Sequence, residues 1–264
     1  MTDAEFAQLV TRVLGSSTPR VWSLLVTMFG DLALAPQARL NGATVNALTA
    51  AIGIKPEATR VALHRLRKED WIESHRTGRQ TRYGLTPHGR TETRSAAPRV
   101  YGPAPDGIEA FLVMENPAES SDWIALQTAA ATVQIGPKTA ITTATSARSH
   151  HLRIALDAGH DLPGWVTDKL CPPALQAASR DLARRLAGLL DHPAIDDLDL
   201  LQRTAVRMVV VHEWRRLILR TPAFPEKLMP DGWRGSECRR ACHTLLNRLP
   251  VPDLTALEDA IETG

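Results

Sequence analysis

Between Ala43 and Leu85 the apolar residues change from helical to alternating spacing, and a glycine, a proline or a turn sits at each change. Thr44 can cap a helix that places Val45, Leu48 and Ile52 on one face. Gly53 ends that helix. Pro56 suits the first turn of the next, where a missing N–H costs nothing. Thr59, Ala62, Leu63 and Leu66 then follow an i, i+3, i+4, i+7 pattern and predict a buried stripe. The other face carries Arg60, His64, Arg67 and Lys68 with Val61 among them, and Arg65 stands at its border. Trp71 and Ile72 open a strand, Thr77-Gly78-Arg79-Gln80 is a turn, and Thr81 to Leu85 returns as a second strand. The stretch reads as helix, turn, helix and a two-stranded wing.

Two short helices about a tight turn can lay the second in a DNA major groove. An Arg-bearing β-ribbon can reach phosphates or the minor groove beside it. From Lys55 to Arg99 there are eleven Lys/Arg against five Asp/Glu, in a chain whose net charge is only +2. A basic run alone is usually a solvated face. Combined with the helix pair and the wing, it points to double-stranded DNA. The candidate DNA contacts are Arg60, His64, Arg65, Arg67, Arg76, Arg79 and Arg82.

At 264 residues the chain can hold one to three domains and a substantial core. No apolar run approaches the ~20 residues that span a bilayer, so no membrane partner is expected. Residues 1–20 lack the pattern of a signal peptide. The odd set Cys171, Cys238 and Cys242 fits a reducing cytoplasm better than a disulfide scaffold.

The expected fold class is α+β in three consecutive domains, a winged helix-turn-helix DNA-binding domain at 1–98, a ferredoxin-like module at 108–172 and a helical C-terminal domain at 173–264, with a linker at 99–107 between the first two. In the first part, apolar periodicity predicts a helix ending at Gly15, a second from Thr18-Pro19 to Gly30, and a helix from Thr86 that Pro98 stops. Tyr101 to Gly107, with two prolines and two glycines, opens the boundary. Strands are expected at Ile108–Met114, Thr132–Ile135, Thr139–Thr143 and Leu152–Leu156, with a helix near Ser121–Ala131. Helices follow at Ala174–Leu190, at Asp197–Arg220, from a Ser236 cap to Arg248, and after an Asp253 cap.

These residues resemble the PaaX family of repressors of phenylacetate-degradation operons. The similarity runs through Thr59-Arg60, Arg65-Leu66 and Trp71, then Gly78-Arg79, Tyr83 and Leu85. It continues in Val211-His212-Glu213-Trp214-Arg215-Arg216 and in the loop from Pro225 to Gly235, PEKLMPDGWRG. Thr221, Phe224 and Arg234 stand where the family more often has Asp, Leu and Pro. The resemblance implies a homodimeric transcriptional repressor that leaves its operator when an aryl-acyl-CoA thioester, usually phenylacetyl-CoA, binds. No enzymatic activity and no resident cofactor are expected from it.

For that effector the residues suggest Arg215, Arg216 and Arg220 for the phosphates, with Lys227 nearby and Trp214, Phe224 and Trp233 as crevice walls. A helix end dressed in arginine for its dipole is the plainer reading. The tryptophans, Trp22, Trp71, Trp123 and Trp165 included, are one by one expected in the core. His150, His151, His160 and His212 with Glu213 show no metal-ligand spacing, and Cys238 and Cys242 are expected as small buried residues. A different class, a metal-dependent nuclease on the ferredoxin-like module, would use Glu115 near the end of its first strand, with Asp122 following, but no second carboxylate is evidently paired with it; the other alternative is a DNA-binding regulator without a ligand.

Overall fold

The structure, a computed structural model, describes residues 1–15, 19–78, 80–104, 107–116, 131–143, 151–157 and 161–263. Among these the chain is mixed α+β. In order come α1 (Asp3–Leu14), α2 (Val21–Leu32), β1 (Leu40–Asn41), α3 (Gly42–Ala51), α4 (Pro56–Lys68), β2 (Ile72–Thr77), β3 (Gln80–Leu85), α5 (Pro87–Tyr101), β4 (Ala110–Glu115), β5 (Thr132–Gly136), β6 (Thr139–Thr142), β7 (His151–Leu156), α6 (Gly164–Leu170), α7 (Pro173–Leu190), α8 (Leu200–Ile218), α9 (Gly235–Arg248) and α10 (Leu254–Thr263). No helix among the described residues is long and apolar enough to cross a membrane.

The fold groups into two compact units. One comprises Met1–Tyr101, Arg184–Arg216 and Arg240–Gly264, the other Gly102–Ala183 and Leu217–Arg239. The C-terminal helices thus contribute to both units, whereas the sequence suggested three consecutive parts.

In the first unit α1 starts at a reciprocal cap: Thr2 Oγ1 accepts from the Glu5 N–H, and the Glu5 carboxylate accepts from the Thr2 N–H at 2.9 Å. Thr18, expected to start α2, lies outside the described residues, and Arg20 stands at the N-cap. α2 also runs past Gly30, its expected end. Leu24, Leu25, Met28 and Phe29 are fully buried along it, and a Cβ on Gly30 would fall 2.9 Å from the Thr93 methyl of α5. Gly30 is therefore a close-packing residue, not a stop. α5 likewise passes Pro98, which only removes one donor near the helix end, and Tyr101 closes the helix in place of opening a linker.

Asp31 on α2 fastens this unit. It takes two bonds from the Arg207 guanidinium of α8, at 2.7 and 2.8 Å, and one from the Tyr101 hydroxyl at 2.8 Å. Arg207 Nη1 also donates to the Leu249 carbonyl at 2.7 Å, just past α9. Burial and the Asp31 charge push the Tyr101 hydroxyl far above the ordinary tyrosine range. Trp214 is fully buried and donates to the Val100 carbonyl at 2.9 Å. α8 is shorter than the expected Asp197–Arg220, because Asp199 Oδ1 accepts from the Gln202 N–H and starts it there. Asp253 caps α10 as read, with Oδ1 3.0 Å from the Ala256 nitrogen.

The second unit carries a four-stranded antiparallel sheet in the order β5-β6-β4-β7. Ala110 faces Leu156 across β4 and β7, and Leu112 faces both Ile141 and Ile154. Ala110, Ile141 and Leu156 form one cluster with Val166 and Leu170 of α6 and with Phe224 and Leu228. The four strands fall where alternation placed them, and α6 was not foreseen. The helix expected near Ser121–Ala131, with Asp122 and Trp123, lies almost wholly outside the described residues. α9 starts at Gly235, so Ser236 is in its first turn and is not its cap. A Cβ on Gly235 would collide with the Trp233 indole, which explains glycine two residues after that tryptophan. Cys171, Cys238 and Cys242 are buried thiols, and burial raises Cys171 to about 11. Trp165 is a correction: it is 58% exposed.

Candidate nucleic-acid interface

α3 begins one turn earlier than its threonine suggested. Asn41 is the cap, its Oδ1 accepting from the Thr44 N–H at 2.6 Å, while Thr44 lies buried in the first turn. The bend after α3 is made by Gly53 at φ +82° and by the Ile54 N–H returning to the Thr49 carbonyl at 3.0 Å. Pro56 then opens α4. Between the helices Thr59 Oγ1 donates to Thr49 Oγ1 at 3.0 Å, and Thr49 Oγ1 bonds the Val45 carbonyl at 2.9 Å. Both threonines are buried, so the interhelical angle is held by a satisfied polar bridge as well as by Leu48, Leu63 and Leu66.

α4 buries Thr59, Ala62, Leu63 and Leu66 and exposes Arg60, Val61, His64, Arg65, Arg67 and Lys68, as its period demanded. Arg65 is engaged. Its Nε pairs with Glu69 at 2.7 Å, and its guanidinium stands 5.5 Å from the Trp22 ring. Trp22 and Trp71 are half-buried and meet edge to face at 5.8 Å, and Trp71 meets His88 likewise. Trp71 also ties wing to helix, its N–H bonding the Leu66 carbonyl at 2.9 Å.

β2 and β3 pair from Ile72↔Leu85 to Thr77↔Gln80, and β1 joins the other edge of β3. Gly78 at φ +62° occupies the first position of the two-residue turn, where the hairpin twist needs a left-handed residue. Arg79, the second, lies outside the described residues. Arg76 is exposed and donates to the Gly78 carbonyl at 3.3 Å. Arg82 is different: Glu258 of α10 accepts both its terminal nitrogens, at 3.0 and 2.7 Å. The same carboxylate takes the Asn41 N–H at 3.4 Å. Glu258 was missed by sequence reasoning, since nothing local marks a partner 176 positions away. Arg60, His64, Arg67 and Arg76 are thus exposed together on reader helix and wing, while Arg65 and Arg82 serve as braces.

The proposed effector residues fare less well. Arg215 and Arg216 belong to the first unit, Arg220 and Trp233 to the second. Arg216 pairs with Glu213 at 3.0 Å, a carboxylate that Arg185 also reaches at 3.1 Å. Burial pushes Glu213 upward, and the two guanidinium charges only partly offset it. Arg215 lines a cavity of about 20 Å³, room for about one water, beside Val100 and Tyr101. Trp214, Phe224 and Trp233 are core residues and not walls of an open crevice, and the Trp233 indole donates to Glu226 at 3.3 Å. His212 is buried 3.4 Å from the Thr27 hydroxyl, and burial, then Arg216 and Arg215, lower its pKa to about 4. His150 and His160 lie outside the described residues. Glu115, the carboxylate of the nuclease alternative, is buried with the Lys138 ammonium at 3.4 Å. Among the described residues no group of three His, Cys, Asp or Glu side chains is placed to hold a metal.

The sequence model of the PaaX-like protein family matches residues 20–89, covering the helix pair and the wing, and that of the PaaX-like protein C-terminal domain matches residues 174–253. A curated relative, the transcriptional repressor PaaX of Escherichia coli (strain K12), is 25% identical over 269 residues, covering 92% of this chain and 84% of that protein. A solved structure, uncharacterized protein Rv0674 from Mycobacterium tuberculosis, matches with a TM-score of 0.49 at 19% identity, over 91% of this chain and 97% of that one. On the two family-model matches, which together cover more than half of its residues, the chain belongs to the PaaX-like family.

Proposed function

We propose that the protein is a DNA-binding transcriptional repressor with a winged helix-turn-helix reader. It acts as a homodimer on a two-part operator and governs an aromatic-acid catabolic operon of the phenylacetate type. One observation carries the DNA reading: α4 spends its whole apolar stripe on the core and turns Arg60, His64, Arg67 and Lys68 to solvent, with the exposed Arg76 on the wing behind it. The repressor name of the Escherichia coli relative agrees with it. On this reading Arg60 and His64 meet base edges, and Arg67, Arg76 and Arg79 meet phosphates. The strand order of the second unit supports a ferredoxin-like module, in which every neighbouring pair is antiparallel and the first strand lies inside.

Relief by an aryl-acyl-CoA belongs to the same proposal. A groove of about 270 Å³ in the first unit is lined by Leu9, Val13 and Leu189 together with Arg12 and Arg184. It has room for the aryl-acyl end of a thioester, with cations where an anion would emerge.

The test is a mobility shift on the protein's own promoter fragment against random duplex, with Arg60→Ala alongside. Specific retardation that Arg60→Ala reduces toward the random-duplex level is expected. Equal affinity of the wild type for both duplexes would end the repressor reading. Phenylacetyl-CoA, but not free phenylacetate, should release the complex, and Arg12→Glu/Arg184→Glu should blunt that release.

A further inference from the structure

Val61 is 70% exposed, more than any other large apolar side chain of the described residues. It lies on α4 four residues after Glu57 and three before His64, so these side chains share one solvent face, with Arg60 beside them. Nothing in the fold accounts for a valine there. The buried stripe of α4 is complete without it, and a β-branched residue on an exposed helix face is a weaker helix former than alanine. A lone exposed valine is ordinarily unremarked. This one stands between an arginine and a histidine on the helix that the reading above places in the major groove.

The major groove offers one distinctive apolar group, the 5-methyl of thymine. The other base marks there are hydrogen-bond donors and acceptors, which valine cannot read. We infer that Val61 is a specificity-determining residue that packs on a thymine methyl in each half-site. The inference rests on the DNA-binding reading and deepens it. Arg60 and His64 supply polar contacts on either side, so a thymine is selected beside the base pair that Arg60 reads.

The experiment uses the full-length protein and duplexes enriched by it from a random-sequence library. Each thymine of the enriched site is replaced singly by deoxyuridine, which removes the methyl and leaves every hydrogen-bonding group. Dissociation constants are measured for wild type and Val61→Ala at one salt concentration. Burying one methyl corresponds to about a fourfold change in affinity. Wild type should therefore lose about fourfold at one thymine per half-site. Val61→Ala, which removes the contact from both protomers, should bind the thymine duplex about sixteenfold more weakly and be indifferent to the replacement at that position. The variant loses no packing and gains helix propensity, so it should fold as wild type does. If wild type is indifferent to every replacement, or Val61→Ala keeps the same sensitivity at the same position, the inference is overturned while DNA binding stands. If wild type enriches no sequence, the DNA-binding reading falls and this inference falls with it.

Discussion

Replacing Asp31 by alanine should be among the most damaging single changes in the first unit. Its carboxylate is 2% exposed and faces an Arg207 side chain that is 7% exposed. Arg207 would lose two of its bonds and keep a buried charge with only main-chain carbonyls as partners. Removing one member of a buried pair costs about 3–5 kcal/mol, because the orphaned ion remains desolvated. For a chain of this size each kcal/mol lowers the melting midpoint by about 2–4 °C. A fall of roughly 6–20 °C is therefore expected. Thermal unfolding followed by tryptophan fluorescence reports it, since Trp22, Trp71 and Trp214 all lie in this unit. The companion Asp31→Leu/Arg207→Met should regain most of the loss, because no charge is left stranded. A loss below about 1 kcal/mol for Asp31→Ala is what a solvated surface pair would give, and it would refute the buried-junction account.

Arg76→Ala should weaken binding to all duplexes alike and lower the slope of log affinity against log salt by about one, as removal of a single phosphate contact does; an unchanged slope would exclude the wing contact. Arg82→Ala and Glu258→Ala should each cost under about 1 kcal/mol, since Arg82 is over a third exposed. The double variant should cost less than their sum, and strict additivity would deny the pairing. His212, whose pKa burial lowers to about 4, stays neutral in the fold while the unfolded chain takes up a proton below about 6.5. Stability from this residue is therefore present at neutral pH and lost as pH falls from about 6.5 toward 4, by at most ~1.4 kcal/mol per pH unit. Urea midpoints at pH 7, 6 and 5 should fall more steeply in wild type than in His212→Phe.

The reader helix was legible because its signal is local. Thr59, Ala62, Leu63 and Leu66 repeat at the helical period, and one turn of sequence suffices to see it. The strands around Gly136-Pro137 were legible for the same reason. Gly30 and Pro98 misled, because a close-packed glycine and a true stop look alike until the opposing helix is known; here Thr93 decides it. Arg82 and Trp233 carry partners that the sequence did not show. Each looks like a binding residue by type, yet each is occupied by a carboxylate, Glu258 or Glu226, that no spacing rule connects to it. Arg216 carries a further partner of the same kind: it pairs with Glu213, which Arg185 of another helix also reaches, and periodicity along one helix carries no sign of that.

The bond from Glu258 to Arg82 also sets a timetable for biosynthesis. A wing residue emerges from the ribosome long before its partner, and the first unit awaits Arg184–Arg216 as well as Arg240–Gly264. Residues 1–101 therefore leave the exit tunnel before Arg207 and Glu258 are made, so Asp31 lacks its guanidinium partner and Arg82 its carboxylate.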